Sequence, residues 1–370
     1  MPRINPDIET FARIKVFGVG GSGLNAIDHM IRSKVLGVDF VGVNTDAQDL
    51  HHSLAPRKIH IGKNITKGLG AGMDSNLGRQ AAEENKNEII ELVRGVDMVF
   101  LAGGFGGGTC TGAAPIVADI ARNEGALTVA VVTKPFSFEG SERARIAEEG
   151  LARLKEAVDA MIVIPNDRLL GVIEKKTTFL DAFATCDEIL RQAVQGISDL
   201  ITLPGIINVD FADIRSIMKN AGSALMGIGK MSGEDRAREA ARAAISSPLL
   251  DLSINGAHGV LFSIAGGDDL TMWEVNEAAK VITESIAKDA KVIFGAVKDE
   301  RLRKGEVKIT VVASGFGDAY ATSAVKSPSL FSGLPKKEEL PLPRPAKVGE
   351  TEDATDEWDA IPAFLRRTKK

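Results

Sequence analysis

The chain of 370 residues carries 45 Lys plus Arg against 50 Asp plus Glu, a formal net charge of −5, with 44% hydrophobic and 5% aromatic residues. This length supports about two domains with sizeable cores, and the mild negative charge leaves no global footprint for nucleic acid. Two cysteines, Cys110 and Cys186, with five scattered histidines exclude a disulfide framework and a cysteine-rich zinc site; no apolar run approaches the roughly 18 residues of a membrane span, and with no signal-peptide layout at the start a cytoplasmic location is expected.

Residues 1–11 read as an N-terminal extension. The β-branched runs 14–19, 38–43, 96–102, 127–133 and 160–164 then alternate with helix-like stretches such as 76–94 and 141–158. That alternation predicts a parallel sheet covered by helices on both faces, a Rossmann-type first domain over 12–177. From 178 to 202, Phe179, Phe183, Cys186, Leu190, Val194, Ile197 and Ile201 fall three or four apart. The spacing predicts one long amphipathic helix joining two domains. Helix-like segments at about 211–220, 233–246 and 271–288, interleaved with strand-like runs at 259–266, 291–297 and 307–314, predict a smaller α/β domain over 203–316. Beyond 317, Pro328, Pro335, Pro341, Pro343 and Pro345 stand among Ser, Lys and Glu, a composition expected of a flexible linker to about 355. In the last stretch, 356–370, Trp358, Ile361 and Leu365 return to helical spacing with Phe364 beside them. This is either a terminus touching the body or a recognition peptide that folds on a partner, its acids first and bases last to suit the helix dipole.

Two glycine clusters follow strands directly. "GVGGSG" (18–23) satisfies the G-x-G-x-x-G pattern, with Asp46 at the end of the next strand. Alone, it fits a dinucleotide enzyme with Asp46 on a ribose hydroxyl, or a plain strand-to-helix turn. The second cluster, Gly103 to Gly112, brings further backbone N–H groups, the Thr109 and Thr111 hydroxyls and another helix N-terminus to the same carboxyl edge of the sheet. One cradle suffices for a pyrophosphate, so two point to a longer chain, as in a nucleoside triphosphate. No G-x-x-x-x-G-K-[ST] occurs, which excludes a P-loop with its phosphate-binding lysine. Farther on, in "NVDFAD" (208–213), Asp210 and Asp213 share a face if helical, and Asp210 also suits the N-cap of the helix it precedes.

Taken in order, "GVGGSGLNA" (18–26), "GVNTD" (42–46), "GGGTCTGAAP" (106–115), "KPFSFEGSER" (134–143), "IPNDRLL" (164–170) and "NVDFAD" resemble the FtsZ family, division GTPases of the tubulin superfamily. The resemblance covers about residues 12–316 and resumes in "AIPAFLRR" (360–367). It implies a tubulin-like fold with a disordered C-terminal tail. By that resemblance Gly20, Gly21, Ser22, Gly23 and Asn25 belong to the first phosphate loop, and Gly106, Gly107, Gly108 and Thr109 to the signature loop. Glu139 and Arg143 match ribose and phosphate contacts, Asn166 and Asp187 guanine contacts, and Asn44 and Phe183 further nucleotide contacts. A carboxylate at Asp187 accepts from guanine N1–H and N2–H₂, which adenine cannot offer, favouring GTP over ATP; a Mg²⁺ ion on the phosphates is expected.

The resemblance further implies that Asn208, Asp210 and Asp213 reach the γ-phosphate on a neighbouring copy, so that hydrolysis waits for head-to-tail assembly into filaments and a ring at mid-cell. An adaptor at the membrane would bind the tail through Trp358, Ile361, Phe364 and Leu365. A tubulin-like structural or regulatory filament protein with little hydrolysis is the alternative. One departure concerns Cys110, where the family usually has glycine. Both Cys110 and Cys186 read either as small apolar fillers or as redox-sensitive thiols, Cys110 with its pKa lowered by a helix N-terminus.

Overall fold

The computed structural model describes residues 12–169, 177–202, 205–207, 209–247, 254, 256–299 and 301–316. All of them lie in the first of two compact units, Met1–Val325. Asn208, the linker and the tail peptide with Trp358, Ile361, Phe364 and Leu365 fall outside the described residues.

The first part alternates strands and helices. Strand β1 (Ile14–Val19) leads into α1 (Gly20–Arg32), β2 (Asp39–Asn44) into α2 (Ala47–His52), and β3 (Arg57–His60) into α3 (Lys63–Thr66), α4 (Ser75–Glu84) and α5 (Lys86–Val93). Then follow β4 (Met98–Gly104), α6 (Gly108–Asn123), β5 (Leu127–Lys134), α7 (Ser141–Ala157), β6 (Ala160–Pro165) and α8 (Asn166–Leu169). The long helix α9 (Phe179–Thr202) precedes β7 (Gly205–Ile207), α10 (Phe211–Met218), β8 (Gly222–Ser232), α11 (Arg236–Ile245), β9 (Gly259–Gly266), α12 (Met272–Thr283), β10 (Lys291–Lys298) and β11 (Glu306–Ser314).

The eleven strands among the described residues form one sheet in the order β3-β2-β1-β4-β5-β6-β8-β11-β9-β10-β7. From β3 to β8 every pairing is parallel, whereas β11 runs antiparallel to both β8 and β9. Side chains of the parallel strands alternate between two cores. Val16, Phe100 and Val129 pack with α1 and α9 on one face, and Phe17, Leu101 and Ala130 with the helices of the other. A strand buried on both faces reads as a continuous apolar run, which is why these strands are visible in the sequence. The smaller half has its own core around Phe262, Ile264, Ala240 and Ile309.

Three features differ from the sequence reading. The predicted helix 76–94 is two helices, because Asn85 (φ −102°, ψ 21°) ends the first and turns its side chain away, accepting from Gly62 N–H at 2.9 Å and donating to Glu88 at 2.8 Å. An asparagine that bonds locally competes with the helix ladder. Strand β8, the seam between the two halves, was not expected from "GSALMGIGKMS". Its glycines weaken strand propensity, yet a Cβ on Gly229 would stand 1.9 Å from the Ala240 carbonyl oxygen, so glycine is what lets α11 lie against the strand. Short elements β3, β7, α2 and α3 also lacked a periodic signal.

Helix α9 sets the geometry of the whole unit. Its first turns lie at the carboxyl edge of the parallel strands, where Phe183 packs edge-on against Phe136 beyond β5. Its last residue lies at the amino edge, where a Cβ on Gly37, just before β2, would meet Thr202 at 2.5 Å. At 1.5 Å per residue the helix carries the chain about 36 Å. The segment that follows is thereby delivered to the opposite edge from the glycine loops.

Candidate functional site

Helices α2, α4, α10 and α12 begin with a capping side chain, Asp46, Asp74, Asp210 and Thr271 respectively, that accepts from first-turn N–H groups. Helices α1 and α6 do not, and neither do α3, α5, α7 and α11. In α1 and α6, Val19 and Gly107 stand at the N-caps without a side-chain hydrogen bond, and neither first turn holds an acid. The first N–H groups of a helix need acceptors, and its positive end favours an anion. Both open ends stand at the carboxyl edge of neighbouring strands, β1 and β4.

Contacts between the loops hold the two ends together. Gly104 N–H donates to Ser22 Oγ at 2.7 Å, and the Thr45 and Thr109 hydroxyls pair at 2.8 Å. Gly20 has φ +72° and Gly106 φ +100°, a region glycine enters without a Cβ penalty. Gly23 and Gly108 serve packing as well, since a Cβ would stand 2.6 Å from the Ala102 carbonyl oxygen in one case and 2.8 Å from Ala71 in the other. Gly107 differs: its backbone is extended (φ −90°, ψ 175°) and a Cβ there meets nothing within 4 Å. The fold does not demand a glycine at 107.

Beside this cradle, Arg143 lies against the second loop, its carbonyl oxygen 2.9 Å from a Cβ placed on Gly106. Its guanidinium pairs with Glu139 at 2.9 Å, and Glu139 also accepts from Phe136 N–H at 2.9 Å. Arg143 Nε and Asn166 Oδ1 are buried side-chain atoms without a partner among the described residues. Leaving such a group unpaired costs about 1–3 kcal/mol, so two at one edge of the sheet indicate a place built for a polar ligand. Asn25 lies exposed on α1, one turn past Gly21, and Asn44 donates to Asp49 at 2.8 Å. On α9, Phe183 is half-buried beside Asp187, and burial pushes the Asp187 carboxyl up from 3.8 to about 6.

Sequence reasoning missed Thr45 and Asp49. Asp49 Oδ2 lies 3.0 Å from a Cβ placed on Gly21, and its pKa is raised by burial and then by nearby Asp46. Its only signal was the acid three residues after Asp46. Asp46 itself accepts from Gln48 and Asp49 N–H groups at 2.9 and 3.2 Å, a capping role in place of the ribose contact of a dinucleotide enzyme. The expected lowering of the Cys110 pKa is also corrected. Its thiol is enclosed against Gly103, and burial pushes it up to about 12; Cys186, also buried, rises to about 12 by burial and then by the charge of Asp187. Desolvation of the thiolate outweighs the helix end.

Asp210 and Asp213 are exposed and far from this cradle. Asp210 caps α10, accepting from Ala212 N–H at 3.0 Å. Helix α10 is fixed at the amino edge, where Arg215 donates to the Gly125 carbonyl at 3.1 Å, just before β5.

Comparison with known proteins agrees with this architecture. Residues 13–174 match the model of the Tubulin/FtsZ family GTPase domain, and residues 222–317 that of the FtsZ family C-terminal domain. An empty FtsZ dimer from M. jannaschii superposes with a TM-score of 0.80 at 44% identity, over 83% of this chain and 89% of that one. A tryptophan-to-tyrosine point mutant of FtsZ from M. jannaschii does so with the same score and identity, over 83% and 92%. CetZ2 from Haloferax volcanii, a GTPγS-bound protofilament, shares the fold with a TM-score of 0.70 at 19% identity, over 84% and 97%. The chain binds and hydrolyses GTP as a tubulin-like GTPase of cell division, and it belongs to the FtsZ family.

Proposed function

We propose that the protein assembles head to tail and hydrolyses GTP at a site completed only by the next copy. The phosphates lie on the open N-termini of α1 and α6, held by main-chain donors of Gly20–Gly23 and Gly106–Thr109. Arg143 Nε serves the phosphates, Glu139 the ribose, and Asn25 and Asn44 the adjoining edge. The base rests by Phe183, with Asn166 and Asp187 reading guanine. The observation that carries this reading is the coincidence of two orphaned buried atoms, Arg143 Nε and Asn166 Oδ1, with two uncapped helix ends.

Asn208, Asp210 and Asp213 then act on the neighbour's nucleotide. Their edge of the sheet is the opposite one, so a cradle and its water-orienting carboxylates meet only where two copies stack. Such a heterologous contact does not close and extends into a filament. The similarity to an FtsZ dimer supports self-association. A Mg²⁺ ion would neutralise charge on the triphosphate. Filaments gather as a ring at mid-cell, and the tail around Trp358, Ile361, Phe364 and Leu365 engages a membrane-anchoring adaptor. No helix among the described residues is long and apolar enough to cross a membrane.

Sedimentation and light scattering after adding GTP, GDP, ATP or NAD test the reading. Pelletable polymer with GTP alone is expected; GTP turnover without any polymer, or a turnover per subunit independent of protein concentration, would overturn it.

A further inference from the structure

We infer that His29 is a positioning residue for guanine recognition: by bonding Glu188 it fastens the helix bearing the first phosphate loop to the helix bearing Asp187. The inference rests on the reading of Asp187 as the guanine contact.

Helix α1 begins at the cradle, carries Asn25 one turn on, and carries His29 one turn beyond that, on the same face. Helix α9 packs against it and presents Asp187 and Glu188 in succession. Glu188 is held on its own helix by Arg191, at 2.7 and 2.5 Å, and by Gln192 at 2.6 Å. With its carboxylate so fixed, Oε2 accepts from His29 Nε2 at 2.9 Å. Burial alone would raise the Glu188 pKa, but the hydrogen bonds from Arg191, His29 and Gln192 bring it down to about 2. The acceptor is therefore ionised at any pH where the protein is studied.

Both residues are about one-third exposed, and an exposed pair contributes little to folding. Its consequence is geometric. Asp187 projects from the same turn of α9; burial raises its pKa and the neighbouring His29 lowers it. A nucleotide spans from the α1 end to Asp187, so the distance between the two helices decides whether phosphate and base are gripped together. A hydrogen bond to a charged group loses much of its worth when its partner is displaced.

The test uses GDP and IDP, which differ only in the guanine 2-amino group and support neither hydrolysis nor the γ-phosphate step. Dissociation constants are measured in the full chain for wild type, His29→Ala, His29→Gln and Asp187→Asn. Gln places its amide nitrogen where His carries Nε2, whereas Ala removes the link between the two helices and leaves Glu188 with Arg191 and Gln192 alone. The expected result is a preference for GDP over IDP in wild type that falls at least about fivefold in His29→Ala and in Asp187→Asn, with His29→Gln restoring it. Should the alanine variant fail to fold, His29→Asn, polar but too short to reach Glu188, takes its place with the same expectation. An unchanged GDP/IDP ratio in His29→Ala beside a reduced one in Asp187→Asn overturns the role of His29 and leaves the guanine contact standing. Equal losses for both nucleotides with no rescue by Gln reduce His29 to a structural pair and also overturn it. An unchanged ratio in Asp187→Asn removes the guanine contact and the inference with it.

Discussion

Gly107 tests the cradle at the scale of one residue, because its backbone is ordinary and a Cβ there meets nothing. Gly107→Glu should leave thermal stability within about 0.5 kcal/mol of wild type. On the proposed reading the added carboxylate faces the phosphates, and nucleotide affinity should fall at least about tenfold by like-charge repulsion; calorimetry with GDP checks both halves. Asp187 supplies a pH prediction. With its carboxyl raised from 3.8 to about 6 by burial, ionisation costs the folded chain stability as pH rises through that window, and on the proposed reading guanine donors relieve the cost by favouring the carboxylate. GDP affinity should therefore weaken by up to about tenfold per unit as pH falls below about 6, and Asp187→Asn should flatten that profile. Of these residues, Asp187, Glu139 and Arg143 were singled out from the chain through the motifs shared with the family. That Arg143 keeps one nitrogen unpaired, that Asp46 is spent on a cap, and that His29 meets Glu188 were not, since each depends on a partner brought in by the fold.

At the scale of elements, helix ends separate structure from chemistry. Asp210 accepts from Ala212 N–H at the start of α10, while Asp213 in the first turn caps nothing. Asp210→Ala should cost about 1 kcal/mol of stability, whereas Asp213→Ala should leave the melting temperature unchanged; both should reduce turnover far below wild type while GDP binding persists. Denaturant melts beside a phosphate-release assay measure the difference. Helices α4 and α6 give a contrasting case: a Cβ on Gly112 would stand 2.0 Å from the Ser75 carbonyl oxygen. Gly112→Ala should destabilise by about 1–3 kcal/mol, read from the same melts. The parallel strands and α9 could be read from the sequence because burial imposes a pattern on their residues. Strand β8 could not, because Gly229 answers to the helix α11 lying on it, a constraint no local spacing records.

At the scale of the molecule, one helix of 24 residues separates the glycine loops from α10. The glycine loops stand at the carboxyl edge of the sheet and α10 at the amino edge, tied to Gly125 through Arg215. On the proposed reading an isolated copy binds nucleotide yet holds its own acids out of reach. The chain legibly carried both halves, in "GGGTCTG" and "NVDFAD", but their separation follows only from the path of α9. The most direct measurement mixes two inactive variants, Asp213→Ala with an intact cradle and Gly107→Glu with intact acids. In an equal mixture about a quarter of random head-to-tail junctions pair the good cradle with the good acids, and GTP turnover should rise well above that of either variant alone. A mixture that co-assembles yet stays as inactive as its components at every ratio would contradict the shared site.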